Sequence, residues 1–170
     1  MKKTILIFSL LLLFCVPLFS QDIRSAKFVF AGMGVDPQSA PNGLGMGGIA
    51  FPLAESLLYF NDWDVSVLPG IPFLNALNGE GLQFSFKPGV AQRIYSANKL
   101  SIWGLVNIGI AAAPSITSET TDVKAAFAYG GFVDYSFGKV GIIAILQNEK
   151  NGSPNGFRFI PRIGIRYKFQ

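Results

Sequence analysis

The sequence predicts an all-β fold: eight antiparallel strands closed as an up-and-down transmembrane β-barrel, behind an N-terminal signal peptide. Three observations carry this expectation. Apolar side chains alternate with small or charged ones over stretches of a dozen residues, a period that no helix produces. The links between these stretches alternate between short (one to three residues) and long (seven or more), as in a barrel with tight turns on one rim and loops on the other. The first twenty residues read as an export signal.

Composition bounds the rest. The chain has 170 residues, 50% of them hydrophobic and only 14% charged, against roughly a quarter charged in ordinary domains. A disordered tail or a highly charged nucleic-acid binder is therefore excluded. The absence of histidine removes the commonest general base, the commonest zinc ligand and any Ser-His or Cys-His relay. No repeat and no internal domain boundary is visible.

In chain order, Lys2 and Lys3 precede the apolar run Ile5 to Val16, then Pro17 and Ser20. A basic start, a short greasy core and a small final residue predict a signal peptide over 1–20, cleaved after Ser20, and a mature barrel over 21–170. An uncleaved membrane helix needs about 20 apolar residues, and Pro17 interrupts this run. A lipid-modified start at Cys15 is disfavoured by the bulky Phe14 before it. Without 1–20 the chain keeps 12 basic and 10 acidic residues and no cysteine, so its fold must rest on burial or on a membrane.

The first two strands, about 26–35 and 43–52, are glycine-rich and their register is not readable. The third, 56–68, sets Leu57, Tyr59, Trp63, Val65 and Val67 opposite Asp62, Asp64 and Ser66, with Asn61 spoiling the apolar face. The fourth, 82–95, opposes Leu82, Phe84, Phe86, Pro88, Val90 and Ile94 to Gln83, Ser85, Lys87, Gly89, Ala91 and Arg93. The fifth, 99–112, opposes Leu100, Ile102, Val106, Ile108 and Ile110 to Ser101, Trp103, Leu105, Asn107 and Gly109. In the sixth, 123–137, the odd positions are apolar or aromatic; the even ones, from Lys124 to Asp134 and Ser136, are small or charged apart from Phe132. The seventh, 139–147, is apolar on both faces. In the last, 157–169, Phe157, Phe159, Pro161, Ile163, Ile165, Tyr167 and Phe169 oppose Arg158, Ile160, Arg162, Gly164, Arg166 and Lys168. The long links 36–42, 69–81, 113–122 and 148–156 are rich in Pro, Gly, Asn, Ser and Thr. On balance they are mildly acidic: Asp36, Glu80, Glu119, Asp122 and Glu149 face Lys150 alone, which argues against capture of an anionic polymer by a basic patch.

A soluble β-barrel would also alternate, with its apolar face inward. The lengths and the aromatics favour lipid instead. About 13 residues at roughly 3.3 Å, tilted by about 40°, cover on the order of 30 Å of membrane depth. Phe127, Tyr129, Phe157 and Phe159 lie near one end of their strands and Tyr135, Phe137, Tyr167 and Phe169 near the other, as two interfacial girdles would. The opposite face then turns inward and carries a lumen charge network: Asp62, Asp64, Arg93, Lys124, Asp134, Arg158, Arg162 and Arg166. With the third strand running up and the sixth and eighth down, Asp62 and Arg162 fall near mid-height, and Asp134 and Arg166 near the short-turn rim. Ion pairs between them are expected, because an unpaired charge there carries a large desolvation cost.

The signal, the eight-strand rhythm and the final strand Phe157-Arg-Phe-Ile-Pro-Arg-Ile-Gly-Ile-Arg-Tyr-Lys-Phe169 together resemble the small bacterial outer-membrane barrels of the OmpA/OmpX type. The resemblance implies contact with outer-membrane lipid and reading of the last strand by the barrel-insertion machinery. Phe169 is penultimate here rather than final, and Pro161 removes a ladder hydrogen bond. Some barrels of this size are lipid-A-modifying enzymes, but the resemblance implies a histidine beside a serine for that chemistry, which this chain lacks.

No other motif carries chemistry. Ser115, Ser118 and Ser153 read as turn formers. Asp62 and Asp64 share a strand face without a third oxygen ligand or an acidic loop signature for calcium. Gly43 to Gly48 and Gly79-Glu-Gly81 lack the strand–turn–helix context of a phosphate loop. Trp63 and Trp103 read as packing or interface residues. The expectation is thus a non-enzymatic outer-membrane protein with a plugged polar lumen, no cofactor and no metal, acting structurally or through surface contacts of its long loops. The alternatives are a narrow small-solute channel or carrier and a soluble periplasmic ligand-binding barrel.

Overall fold

The computed structural model describes residues 27–35, 43–67, 82–114, 121–151 and 156–169. The signal segment 1–20, Ser115, Ser118, Ser153, Gly79 to Gly81 and the loop acids Asp36, Glu80 and Glu119 lie outside them. The strands are β1 (Phe28–Val35), β2 (Gly43–Ala54), β3 (Leu57–Val67), β4 (Leu82–Ala97), β5 (Leu100–Pro114), β6 (Thr121–Phe137), β7 (Val140–Asn151) and β8 (Arg158–Lys168). Each pairs antiparallel with its sequence neighbour, and β8 closes on β1 from Phe28↔Lys168 to Gly34↔Arg162. The result is a closed eight-stranded up-and-down barrel. With no edge left open around the ring, backbone donors and acceptors are met within the sheet, as a structure in hydrocarbon requires.

The short rim consists of the two-residue links Glu55-Ser56, Asn98-Lys99 and Gly138-Lys139. Asn98 and Gly138 carry positive φ (50° and 91°), which suits the twist of tight hairpin turns. β4 accommodates its turn with a bulge between Arg93 and Tyr95. Pro161 is tolerated because the pairing of β8 with β1 stops at Arg162, one residue short of it.

Side chains sort by face as the alternation requires. Met33, Ile94, Ile108, Phe137, Ile163 and Ile165 are all more than half exposed on the exterior, while Asp62, Lys87, Arg162 and Arg166 are buried inside. A soluble ligand-binding barrel would place these two sets the other way round. The girdle residues point outward. At the long-loop end Phe127, Tyr129 and Phe157 pack edge-on, with Phe127–Phe157 and Tyr129–Phe157 centroids 5.9 and 5.2 Å apart, and Phe159 is exposed beside them. At the short-turn end Tyr135 meets Phe137 at 5.0 Å and Tyr167 meets Phe169 at 5.5 Å.

The interior is not polar throughout. Its lower half is an aromatic layer in which Phe60 stacks on Phe30 and on Phe132, each at 5.1 Å. Trp103 lies nearly parallel to Phe132 at 5.7 Å and Phe28 meets it edge-on at 6.2 Å. Leu58, Leu105, Ile143 and Ile145 complete this core. Inward glycines make the room: a Cβ on Gly48 would stand 2.3 Å from the Phe30 ring. β7 also continues to Asn151 instead of ending near 147, so Glu149 belongs to the lumen and not to a surface loop.

Candidate functional site: a charge cluster buried in the lumen

Above the aromatic layer, four strands bring five charged side chains together. Inward positions two residues apart on β3 supply Asp62 and Asp64; β4 supplies Lys87, β7 Glu149 and β8 Arg162. All five are essentially inaccessible, none exceeding 4% exposure. Arg162 spans the cluster, with Nη1 donating to Asp62 Oδ2 at 2.9 Å and to Gln147 Oε1 at 2.6 Å. Its Nη2 donates to Asp64 Oδ2 at 3.0 Å and to Glu149 Oε1. The Lys87 ammonium lies 3.7 Å from Asp62 Oδ2 and 2.9 Å from Glu149 Oε1, and donates to Asp64. Ser85 Oγ adds a bond to Asp64 Oδ2 at 2.8 Å, and Asn107 Nδ2 donates to the Lys87 carbonyl at 3.0 Å.

A second pair closes the short-turn end, where Arg166 Nε donates to Asp134 Oδ1. The Arg166 guanidinium lies over Gly141, whose missing side chain leaves the space: a Cβ there would be 2.8 Å from Cζ. Below it, Lys27 Nζ stands 4.8 Å from the Trp103 ring centroid and Arg93 Cζ 5.8 Å, both within cation–π range. Burial, and next the positive charges of Arg93 and Lys168, hold the Lys27 ammonium below the usual lysine range.

Of the residues proposed for the lumen network, Asp62, Asp64 and Arg162 therefore meet in one cluster, and Asp134 and Arg166 in another. Three take other positions. Arg93 sits at the mouth, 3.8 Å from the fully exposed Glu55. Lys124 is exposed, because β6 runs past the end of β7 and the β6–β7 ladder begins only at Ala126↔Asn151. Arg158 is half-buried near the long-loop end, opposite Glu149 in the β7–β8 register. The sequence reading omitted Lys87 and Glu149 from the network. Lys87 lies on the face of its strand that the alternation turns inward; Glu149 continues the inward phase of Ile143, Ile145 and Gln147, which only the structure establishes because that segment is apolar on both faces.

Three carboxylates within 4.8 Å of one another are a conceivable metal site. The Lys87 ammonium, however, reaches all three and stands where a divalent cation would have to be. Ser85 is buried against a carboxylate already engaged by two cations, so no substrate reaches it as a nucleophile. What the arrangement does is neutralise charge out of water, tie β3, β4, β7 and β8 together, and fill the lumen.

No protein-family model matches the sequence, and no curated protein does either. Solved structures do. The N-terminal β-barrel domain of Pseudomonas aeruginosa OprF superposes with a TM-score of 0.58 at 10% identity, over 84% of this chain and 96% of that one. The fold is that of the small outer-membrane barrels. Neisserial surface protein A gives a TM-score of 0.56 at 11% identity, over 83% and 93% of the two chains. The Yersinia pestis outer-membrane protein Ail, in a phospholipid bilayer nanodisc, gives 0.55 at 12% identity over 85% and 99%. At these identities the likeness concerns the fold alone.

Proposed function

We propose that this chain is a non-enzymatic integral protein of the bacterial outer membrane, exported by cleavage of residues 1–20, that acts as a structural or surface-contact element from its long-loop end. The observation that carries this reading is the filled lumen. The charge cluster and the aromatic layer beneath it consist of side chains at most a few per cent exposed, Arg162 at 3% and Phe132 at 1%, which leaves the rims as the surfaces available to partners. At the long-loop rim the β5–β6 hairpin projects, and Asp122, Val123, Lys124 and Ala125 are exposed on it beyond the end of β7. Short turns then face the periplasm and the hairpin faces outward.

Cysteine labelling tests location and orientation together. In intact cells a Val123→Cys variant should react with a membrane-impermeant maleimide, and a Lys139→Cys variant only after the outer membrane is opened. The reverse pattern would overturn the orientation. Recovery of the mature chain as a detergent-free soluble monomer would overturn the membrane assignment. In planar bilayers the filled lumen should give no steady conductance steps.

A further inference from the structure

Charge is distributed unevenly along the barrel axis. Among the described residues, the short-turn end carries Lys27, Arg93, Lys99, Lys139, Arg166 and Lys168 against Glu55 and Asp134. Asp134 is taken by Arg166, and Glu55 faces Arg93. Among the described residues, Lys99, Lys139 and Lys168 have no carboxylate within ion-pair distance. The turns that carry Lys99 and Lys139 belong to neighbouring hairpins. Ser136 N donates to the Lys99 carbonyl at 2.8 Å and Lys168 N to the Lys139 carbonyl at 2.7 Å, which ties two turns to the ends of β6 and β8. Lys99 and Lys139 are exposed, whereas Lys168, opposite the inward Phe28, is half-buried at the lumen mouth; Glu55 sits at a different turn, between β2 and β3.

We propose that Lys99 and Lys139, with the aromatic belt beside them, bind the headgroups of anionic phospholipids in the periplasmic leaflet. Tyr135, Phe137, Tyr167 and Phe169 lie within a few residues of the lysines and face outward, Tyr135 opposite Ile142 and Tyr167 opposite Val140 in the ladder. On the exterior the order is thus the exposed turn lysines Lys99 and Lys139, then amphipathic rings, then the apolar Val140, Ile142 and Ile165, the order of headgroup, interface and acyl chain in a lipid. Ammonium groups on flexible stems act as point charges and do not form the planar fork that fixes a free oxyanion. A lipid held by charge below and by rings and aliphatic side chains above fits them better than soluble phosphate. The crowding of positive charge around Lys27 agrees with an end of the barrel short of anions.

The assignment to the periplasmic leaflet rests on the orientation proposed above, and the experiment separates the two. The mature chain is refolded in detergent, checked for heat-modifiable gel migration, incubated with equimolar phosphatidylglycerol and phosphatidylcholine, and examined by native mass spectrometry. Retention of phosphatidylglycerol should exceed that of phosphatidylcholine several-fold and should fall as salt is raised. The preference should vanish in the double variant Lys99→Gln, Lys139→Gln and persist in Lys124→Gln, Lys150→Gln at the other rim. Equal retention of the two lipids, or a preference that follows the other rim, overturns the proposal. Displacement of phosphatidylglycerol by inorganic phosphate overturns the choice of lipid over free anion. Failure of the wild type to give a heat-modifiable band would instead count against the membrane reading.

Discussion

Replacing Arg162 with methionine removes one of the two cations from the lumen cluster while keeping a long unbranched side chain. Lys87 is then alone against Asp62, Asp64 and Glu149, and four acceptor oxygens lose their guanidinium donor. With every group ionised, the cluster's net charge goes from −1 to −2 at a site where its members are no more than 4% exposed. Removing one partner from a buried ion pair costs about 3–5 kcal/mol. Arg162 serves three carboxylates, but Lys87 contacts the same three and offsets part of the loss, so about 3–5 kcal/mol is the expected destabilisation rather than a multiple of it. The double variant Arg162→Met, Asp62→Asn returns the net charge to −1 and should recover at least about 1 kcal/mol of that loss. Urea unfolding in lipid vesicles, followed through the buried Trp103 and scored by the heat-shifted gel band, measures both. An Arg162→Met variant within about 0.5 kcal/mol of wild type, the range of an ordinary surface substitution, would refute the account. So would a double variant no more stable than the single.

Three further outcomes are expected. Phe132→Ala removes the ring that stacks on both Phe60 and Trp103 and should cost about 3–5 kcal/mol, with Trp103 emission shifted; an unchanged urea midpoint would contradict the aromatic layer. Gly48→Val places a Cβ 2.2 Å from the Asn61 carbonyl oxygen and against the Phe30 ring, so the heat-modifiable band should be lost; normal folding would mean that this approach is not close. Lys27 is charged in the folded state against burial and three neighbouring cations, so its folded pKa lies below the ordinary 10.5. The resulting penalty is present at neutral pH and is relieved as pH rises through the folded value towards 10.5. Its contact with Trp103 offsets part of the penalty. Lys27→Gln should therefore raise the urea midpoint at neutral pH and remove the alkaline gain, and an unchanged pH profile would oppose this.

Much of the barrel is written locally. Side chains two apart on a strand share a face whatever the strand packs against, so the outward Phe127, Ile163 and Tyr167 and the inward Asp62, Asp134 and Arg162 could be assigned from the alternation of their own segments. That property also placed Lys87 inward. It failed where it is absent: Val140 to Leu146 is apolar on both faces, so nothing local showed that β7 runs on to Asn151 or that Glu149 faces the lumen. Lys124 has the inward phase, and its exposure follows from how far β7 extends beside it. The strand count and faces, the girdle positions and the lack of histidine chemistry were thus determined by the sequence alone.

Which charges meet was decided only by closure. Asp62 and Arg162 are one hundred residues apart in the chain, and their contact depends on barrel radius and on the registers of all eight strands. The same holds for the stack of Phe30, Phe60, Phe132 and Trp103 from β1, β3, β6 and β5, of which Phe132 alone reads in the sequence as an exception on a small-residue face. Direction is a property of one strand, whereas the distance across a lumen is a property of the whole ring, and that distance is what turns separate inward residues into an aromatic layer beneath a cluster of paired charges.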